Sequence, residues 1–540
     1  YLVNEKEKYL YSYSDEYGSS FLVNFIGKLD YLHQSNIEDD LNSNSLLYRF
    51  GGLIEGTLFN NFGLSINTTN GSFTGNKKLA QSYSSLRYNY KLTTVTSSDL
   101  GDNFFDETSA FLAFENKGGL DLDSNVHSIR SKAILNFEKE GFPTKKDEEW
   151  KYTSLNSILK NDYSLFPKTK KAVEFKNVRE YSINEIESYT LVFIDGVFSS
   201  FLSETTHDDC DVCVLSSALT RPKYKMVVDN YFNTIAKNNN SLAELNTAFT
   251  KEGAFINIPK NTIVQKPIQI LNFSTGNEKE VILQPRNLVV VGENSHVQII
   301  ERHQNLSKNT TLTNSVTEIF VHKRAIVDYY KIQNDTDNSS LIDSTFVSQK
   351  QQSVASVSTF SFGGNITRNN LEFYHEGEHI TSNLNGISIL NEKQHVDNHT
   401  LVNHKFPNCE SHELYKGIYA DKSVGVFNGK VIVQQEAQKT NAFQQNNNIL
   451  IDDGATINAK PQLEIFADDV KCSHGCTIGQ LDESALFYMQ SRGIPKKEAK
   501  ALLLFAFGND VVEKIKIPQL KTRITKLIAK NLGVNLGFDF

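Results

Sequence analysis

A chain of 540 residues leaves room for two to four structural units at ~100–200 residues each. Its 39% hydrophobic and 22% charged residues match an ordinary globular composition, and a net charge of −8 without any Lys/Arg block argues against a nucleic-acid binder. No run approaches the ~18–20 apolar residues of a spanning helix, no signal-peptide pattern is read, and five cysteines cannot form a disulfide framework. A reducing compartment, the cytoplasm, is therefore expected.

Residues 1–96 are rich in Tyr, Phe, Asn, Ser and Gly, with apolar and polar residues alternating. Leu47 to Phe59, followed by a stretch with an Asn70-Gly71 turn signal, predicts antiparallel strands and a hairpin. The texture is loosely like outer-membrane barrel strands, but ~95 residues supply only part of a barrel. This β-rich segment reads as a piece of separate origin, a fusion or an artefact, and is assigned no function. The chain starts at Tyr1 rather than Met, which reads as a fragment, a processed product or a conceptual translation.

Residues 97–245 form a mixed, partly helical region. Asp106 to Glu140 is expected to be helical, ended by Gly141-Phe142-Pro143. The only tryptophan, Trp150, follows in a dense charged run, and with Tyr152 it reads as an anchor to a core. Thr190 to Leu202 is strand-like.

Residues 246–480 carry the main architectural signal. A polar turn followed by a β-branched residue recurs at Val297, Ile326, Val354, Ile380, Val396, Val424, Ile457 and Val470. Most intervals are about 28 residues, with shorter ones of about 15, the size expected of a solenoid repeat. Long helical patterns are absent, so the repeat is all-β. A parallel β-helix fits best; a β-sandwich competes but needs no such repeat.

Residues 481–540 read as helical. Asp482 caps a helix through Ser491, Gly493 stops it, and Pro495 opens the next. Ala499, Leu502, Leu503, Ala506 and Phe507 make a stripe that Leu504 and Phe505 widen beyond one face. Such a helix needs a second surface, either the solenoid or another protein. Leu520, Ile524, Leu527 and Ile528 mark a third amphipathic helix.

The densest chemical cluster is Lys471-Cys472-Ser473-His474-Gly475-Cys476. On a strand, Cys472, His474 and Cys476 project to one face. Thiolate and imidazole suit iron or zinc, and three such ligands suit an open site completed by a partner chain. The bland alternative is a buried Cys472 beside a satisfied His474. Cys210 and Cys213 form a lone C-x-x-C in an acidic, strand-like setting, read as structural. Cys409 and His412 lack an orienting third group and read as packing or a secondary metal contact. No phosphate-binding loop, Rossmann fingerprint, H-E-x-x-H or G-x-S-x-G is present.

Gly141 to Leu155, Cys409 to Val433 and especially Lys460 to Ile494 resemble the SufB/SufD family of iron–sulfur cluster scaffolds, with the first of these SufD-like. The resemblance covers residues 97–540, and a natural member is expected to begin near Asp106 to Lys117. It implies a right-handed parallel β-helix between helical ends (97–245 and 481–540 flanking 246–480). It also implies a non-catalytic role, with SufB as heterodimer partner and the ATPase SufC docking on the C-terminal helices. ATP would enter only through SufC. Leu486, Phe487, Leu502, Leu503, Phe505 and Phe507 are the candidate docking residues. Cys472 and His474 match the family's C-S-H motif, implying a transient Fe–S cluster or iron shared with SufB. Cys476 is a further candidate ligand outside the required pattern. The rival readings are a zinc-stabilised interaction module and a β-helix carbohydrate-active enzyme.

Overall fold

The structure is a computed structural model that describes residues 11–14, 20–34, 43–58, 62–75, 94–97, 103–114, 123–165, 173–205, 210–236, 240–275 and 280–533. The chain divides into two compact units, Tyr1–Asp121 and Leu122–Phe540. The division falls beyond the boundary near residue 97 expected from the sequence.

In the first unit, six antiparallel strands form one sheet in the order Tyr11–Ser14, Ser20–Gln34, Ser43–Leu58, Phe62–Gly75, Asn103–Phe114 and Thr94–Ser97. The expected antiparallel strands are present, but two local expectations fail. Asn70 and Gly71 lie inside a strand, with Asn70 opposite Phe50 on one side and Asp106 on the other. Continuous pairing on both edges overrides the turn preference of an isolated Asn-Gly. Asn103–Phe114 is a strand rather than the start of a helix, because it pairs antiparallel along Phe62–Gly75. Residues 115–122 lie outside the described residues, and the helix proper is α1, Ser124–Glu140, capped by Asp123.

The second unit is mainly β, a parallel solenoid of about eight turns flanked by helices. Each coil adds one strand to each of two sheets. The first sheet runs from Asp211–Val214 through Ala254–Ile258, Arg286–Val291, Thr311–Val321, Ser339–Gln349, Ile366–His375, His395–His404 and Val424–Val433 to Thr456–Ile465. The second runs from Tyr189–Ile194 through Ile268–Ser274, His296–Asn305, Ile326–Gln333, Val354–Ser361, Thr381–Leu390, Glu410–Tyr419 and Asn441–Leu450 to Lys471–Gly479. Ile326 pairs with Val354, one full coil and 28 positions later, so the long interval is a coil and the short one a half-coil.

The corners explain the repeat. Asn294, Arg324, Gln352, His379, Asn408 and Lys439 all adopt positive φ, which reverses the chain within a tight turn. The next residue then plugs the corner: Ser295, Ala325, Ser353, Ile380, Cys409 and Thr440 are each buried. The following strand begins at once, and at three of these corners it opens on a β-branched residue, Ile326, Val354 or Thr381. Apolar side chains of both sheets, among them Val289, Ile299, Ile319, Val357 and Phe373, fill the interior.

Helices cover parts of both outer faces. The turn Glu148–Trp150 docks on the first sheet, where the Arg368 guanidinium lies 3.8 Å from the Trp150 ring centroid. Arg368 donates to Asp397 Oδ2 and to the Glu149 carbonyl, both at 2.7 Å. Short helices α2 (Phe175–Tyr181), α3 (Leu215–Leu219), α4 (Pro222–Tyr231) and α5 (Ser241–Phe249) precede most of the solenoid. After it come α6 (Glu483–Ser491), α7 (Lys496–Val512) and α8 (Pro518–Asn531), with Asp482 capping α6 as expected.

Helices α7 and α8 lie on the second sheet's outer face. Leu520, Ile524, Leu527 and Ile528 are buried there, as their spacing predicts. On α7 the buried residues are Ala499, Ala501, Leu504, Gly508, Val511 and Val512. This face is displaced from the expected stripe, since Ala506 is exposed and Leu502 and Leu503 are half-buried. Gly508 permits the close approach: a Cβ there would sit 2.6 Å from Ile387 Cδ1.

Candidate site at the solenoid end

The strand Lys471–Gly479 is the last of the second sheet and follows the register of Asn441–Leu450. Ala442 pairs with Cys472, Gln444 with His474 and Asn446 with Cys476. Ala442, Gln444 and Asn446 are buried, so the three candidate ligands stand on the inward-facing side of the terminal coil. No described strand covers the free edge of Lys471–Gly479, nor that of Thr456–Ile465, the last strand of the first sheet.

Cys472 is partly covered by Val433, Ala442 and Ala467, and burial pushes its thiol pKa up, offset in part by the hydrogen bond from the Ala442 backbone. Cys476 is exposed, lies 3.6 Å from Asn446 Oδ1, and is also raised by partial burial. His474 is exposed. The register thus gathers the three on one face of one strand. Even so, no group of three or more metal-binding side chains converges among the described residues.

The other candidates are dispersed. Cys210 is buried with the solenoid interior, whereas burial pushes Cys213 up to about 11. Neither thiol is in a disulfide. Cys409 is a corner plug whose Sγ donates to the Gly377 carbonyl at 3.3 Å, with its pKa raised by burial to about 11. His412 faces outward and stacks on Phe443, 5.7 Å between ring centroids and 10° from parallel. The two rings line a groove of about 760 Å³ with Gln445, Ser473, Lys514 and Lys516. Cys409 and His412 therefore share no site.

At the helical end, Leu486 is buried, while Phe487 is 74% exposed beside Tyr488. Leu502, Leu503, Phe505 and Phe507 are half-buried, and the last two pack toward the second sheet. Lys416 holds α7 there, donating to the Phe507 carbonyl at 2.7 Å and pairing with Asp510.

Sequence reasoning missed the layer under the candidate ligands. Gln444 and Asn446 turn their amides inward one coil below His474 and Cys476, and Asn448 does so below Ile478. Below Gln444 lies Glu413, fully buried, with its carboxyl pushed up to about 7 by burial. The available signal was the run Gln444 to Asn448, five consecutive amides one coil before the Cys/His strand.

Comparison with known proteins places this architecture. The SufBD core domain of the SUF system for FeS cluster assembly matches residues 273–507, and the SufBD protein N-terminal region matches residues 116–270. The chain is 32% identical over 395 residues to an iron–sulfur cluster assembly SufBD family protein of Synechocystis, covering 72% of this chain and 87% of that protein. The chain belongs to the SufBD family of iron–sulfur cluster assembly proteins. It is also 27% identical to the iron–sulfur cluster assembly protein SufD of Escherichia coli, covering 73% of this chain and 90% of that one. Protein ABCI7, chloroplastic, of Arabidopsis thaliana is 31% identical, with 72% and 82% covered. Both family matches lie outside residues 1–115 of this SufBD chain. No helix among its described residues is long and apolar enough to cross a membrane.

Proposed function

We propose that this SufBD-family chain is a non-catalytic scaffold subunit of the SufD type, on which an iron–sulfur cluster forms as cargo. In this reading it pairs with a SufB-like paralogue at the open solenoid end. Cys472 and His474 supply ligands there, with Cys476 as a further candidate. A SufC-type ATPase docks on the C-terminal helices and provides ATP hydrolysis, its motion reaching the solenoid through α7. One observation carries the reading: Cys472, His474 and Cys476 share a face of the terminal strand, whose outer edge is unpaired among the described residues. An incomplete ligand set at an uncovered sheet edge suits a site finished by a second chain. The exposed Phe487 and Tyr488 support the helical end as a docking surface.

The test is anaerobic co-purification of the full chain with SufB and SufC from the same source, followed by mass and iron analysis. The expected result is a complex of all three whose iron is lost in a Cys472→Ala, His474→Ala double variant that still assembles. A lone monomer refutes the scaffold reading. An assembled double variant with undiminished cluster refutes the ligand assignment alone.

A further inference from the structure

One interior column of the second sheet changes character just below the terminal strand. In register it reads Ile268, Ile299, Tyr329, Val357, Leu384, Glu413, Gln444, His474. The first five belong to the main hydrophobic cluster. Stability alone favours another aliphatic residue in each later coil, because a buried polar group is costly unless it is fully hydrogen-bonded. Here the column instead turns polar in the two coils directly beneath a candidate ligand.

The hydrogen bonding is directional. Gln444 Nε2 donates to Glu413 Oε2 at 2.7 Å. This leaves Gln444 Oε1 as a buried acceptor without a partner among the described residues. The neighbouring column differs, because Asn446 Oδ1 already accepts from Asn448 Nδ2 at 2.7 Å and faces Cys476 Sγ. Adjacent in-register residues stand ~4.8 Å apart, within reach of a glutamine amide and an imidazole. Asn448 Oδ1 in the same layer also has no partner among the described residues but lies below Ile478, so Gln444 Oε1 is the unpartnered acceptor in register with His474.

We propose that Gln444, oriented by Glu413, is a positioning residue for His474: its amide oxygen accepts one imidazole N–H and presents the other ring nitrogen to the cargo metal. A ligating histidine commonly donates its second nitrogen to such an acceptor, which selects the tautomer and fixes the ring. Glu413 acts one step further back, by keeping the amide nitrogen of Gln444 turned inward. This inference rests on the ligand reading proposed for His474 and adds the reason its lower neighbour is an amide.

Histidine-selective 15N labelling of the full chain reads the tautomer directly, with the His474 signal assigned by its loss in His474→Ala. One tautomer is expected to dominate in the native protein, a mixture in Gln444→Leu, and the native pattern again in Gln444→Glu. If Gln444→Leu does not fold, Gln444→Asn, too short to bridge the coils, replaces it. In the assembled complex, Gln444→Leu is expected to weaken His474-dependent Co(II) binding about tenfold to hundredfold. It should cause no further loss in a His474→Ala background. An unchanged tautomer ratio in Gln444→Leu, beside a His474→Ala variant that cannot build cluster, overturns the positioning role alone. A tautomer that responds to Gln444 while His474→Ala still builds cluster overturns the ligand assignment, and with it the presentation of His474 to the metal, but leaves the Gln444–His474 hydrogen bond standing.

Discussion

The interior histidines make the solenoid's stability depend on pH, with a sign that can be worked through. His375 and His404 lie in register on adjacent strands of the first sheet, both buried, with ring centroids 4.3 Å apart. Each bonds a serine through Nε2, Ser382 at 2.7 Å and Ser411 at 2.9 Å, and each Nδ1 has no partner among the described residues. Burial holds His404 down at about 3 and, with the neighbouring His404 adding to it, holds His375 well below the usual imidazole value. A depressed histidine binds its proton more weakly in the folded state than in the unfolded one. Its contribution is therefore intact above pH ~6.5 and is lost as pH falls, at about 1.4 kcal/mol per pH unit for each group. Glu413 runs the other way: its folded value of about 7 lies above the unfolded 4.5, so its contribution is intact below pH 4.5 and fades as pH rises to 7. Between pH 4.5 and 6.5 the two histidines outweigh the glutamate, and these three groups together favour the higher pH by about 1.4 kcal/mol per unit.

Single variants isolate each term. His404→Gln carries a cost that does not depend on pH and removes one pH-dependent term. Relative to the native chain it should gain about 3 kcal/mol between pH 6.5 and 4.5. Glu413→Gln should gain relative stability in the opposite direction, as pH rises from 4.5 to 7. Urea unfolding followed by the fluorescence of Trp150, the only tryptophan, reports on the solenoid unit that contains it. A His404→Gln profile that stays parallel to the native one across this window would refute the reasoning.

Arg368→Met should destabilise the second unit by about 3–5 kcal/mol, because it leaves Asp397 buried without its 2.7 Å partner. The same change removes the cation over Trp150, so a native-state emission spectrum identical to that of the unsubstituted chain would count against the stacked geometry. Thiol alkylation of the native chain should reach Cys476 first and Cys472 next, with Cys213 slow and Cys210 and Cys409 protected until unfolding. Mass mapping that finds Cys409 labelled as early as Cys476 would contradict its place as a corner plug.

The repeat is legible in the sequence because each corner imposes the same local demand. A residue at positive φ and a buried plug lead directly into the next strand, so Ile326 and Val354 sit where that order ends and Val297 one position beyond it. The face of α7 is not legible for the opposite reason. With apolar residues at Leu502, Leu503, Leu504 and Phe505, periodicity has no polar side to count from, and the sheet selects Leu504 and Gly508. Asn70-Gly71 and the strand from Asn103 fail because pairing partners far along the chain outweigh local preference. The shared face of Cys472, His474 and Cys476 follows from period-2 geometry alone. The burial of Gln444 and Glu413 beneath them does not, since it depends on coils one and two turns away.

The two ends of the solenoid are built differently, and the difference bears on where a partner would act. At the N-terminal end each sheet finishes on an antiparallel strand, Asp211–Val214 in one and Val197–Phe198 in the other, which breaks the parallel stacking. In the middle coils Thr311–Val321 and Ser339–Gln349 are buried along their whole length. At the C-terminal end Thr456–Ile465 is half-buried throughout its middle, and nearly all of Lys471–Gly479 is exposed. Terminal repeats of a solenoid ordinarily need a cap, because a bare coil offers unpaired backbone groups and interior side chains to water. Ile465, Phe466 and Ile478 are exposed at this same end. A partner strand there would satisfy the edge, cover these side chains and enclose Cys472, His474 and Cys476 in one step. Substituting Phe466 and Ile478 with Asp should therefore abolish pairing while leaving the Trp150-monitored stability of the isolated chain nearly unchanged. A complex that survives the change would move the partner surface elsewhere.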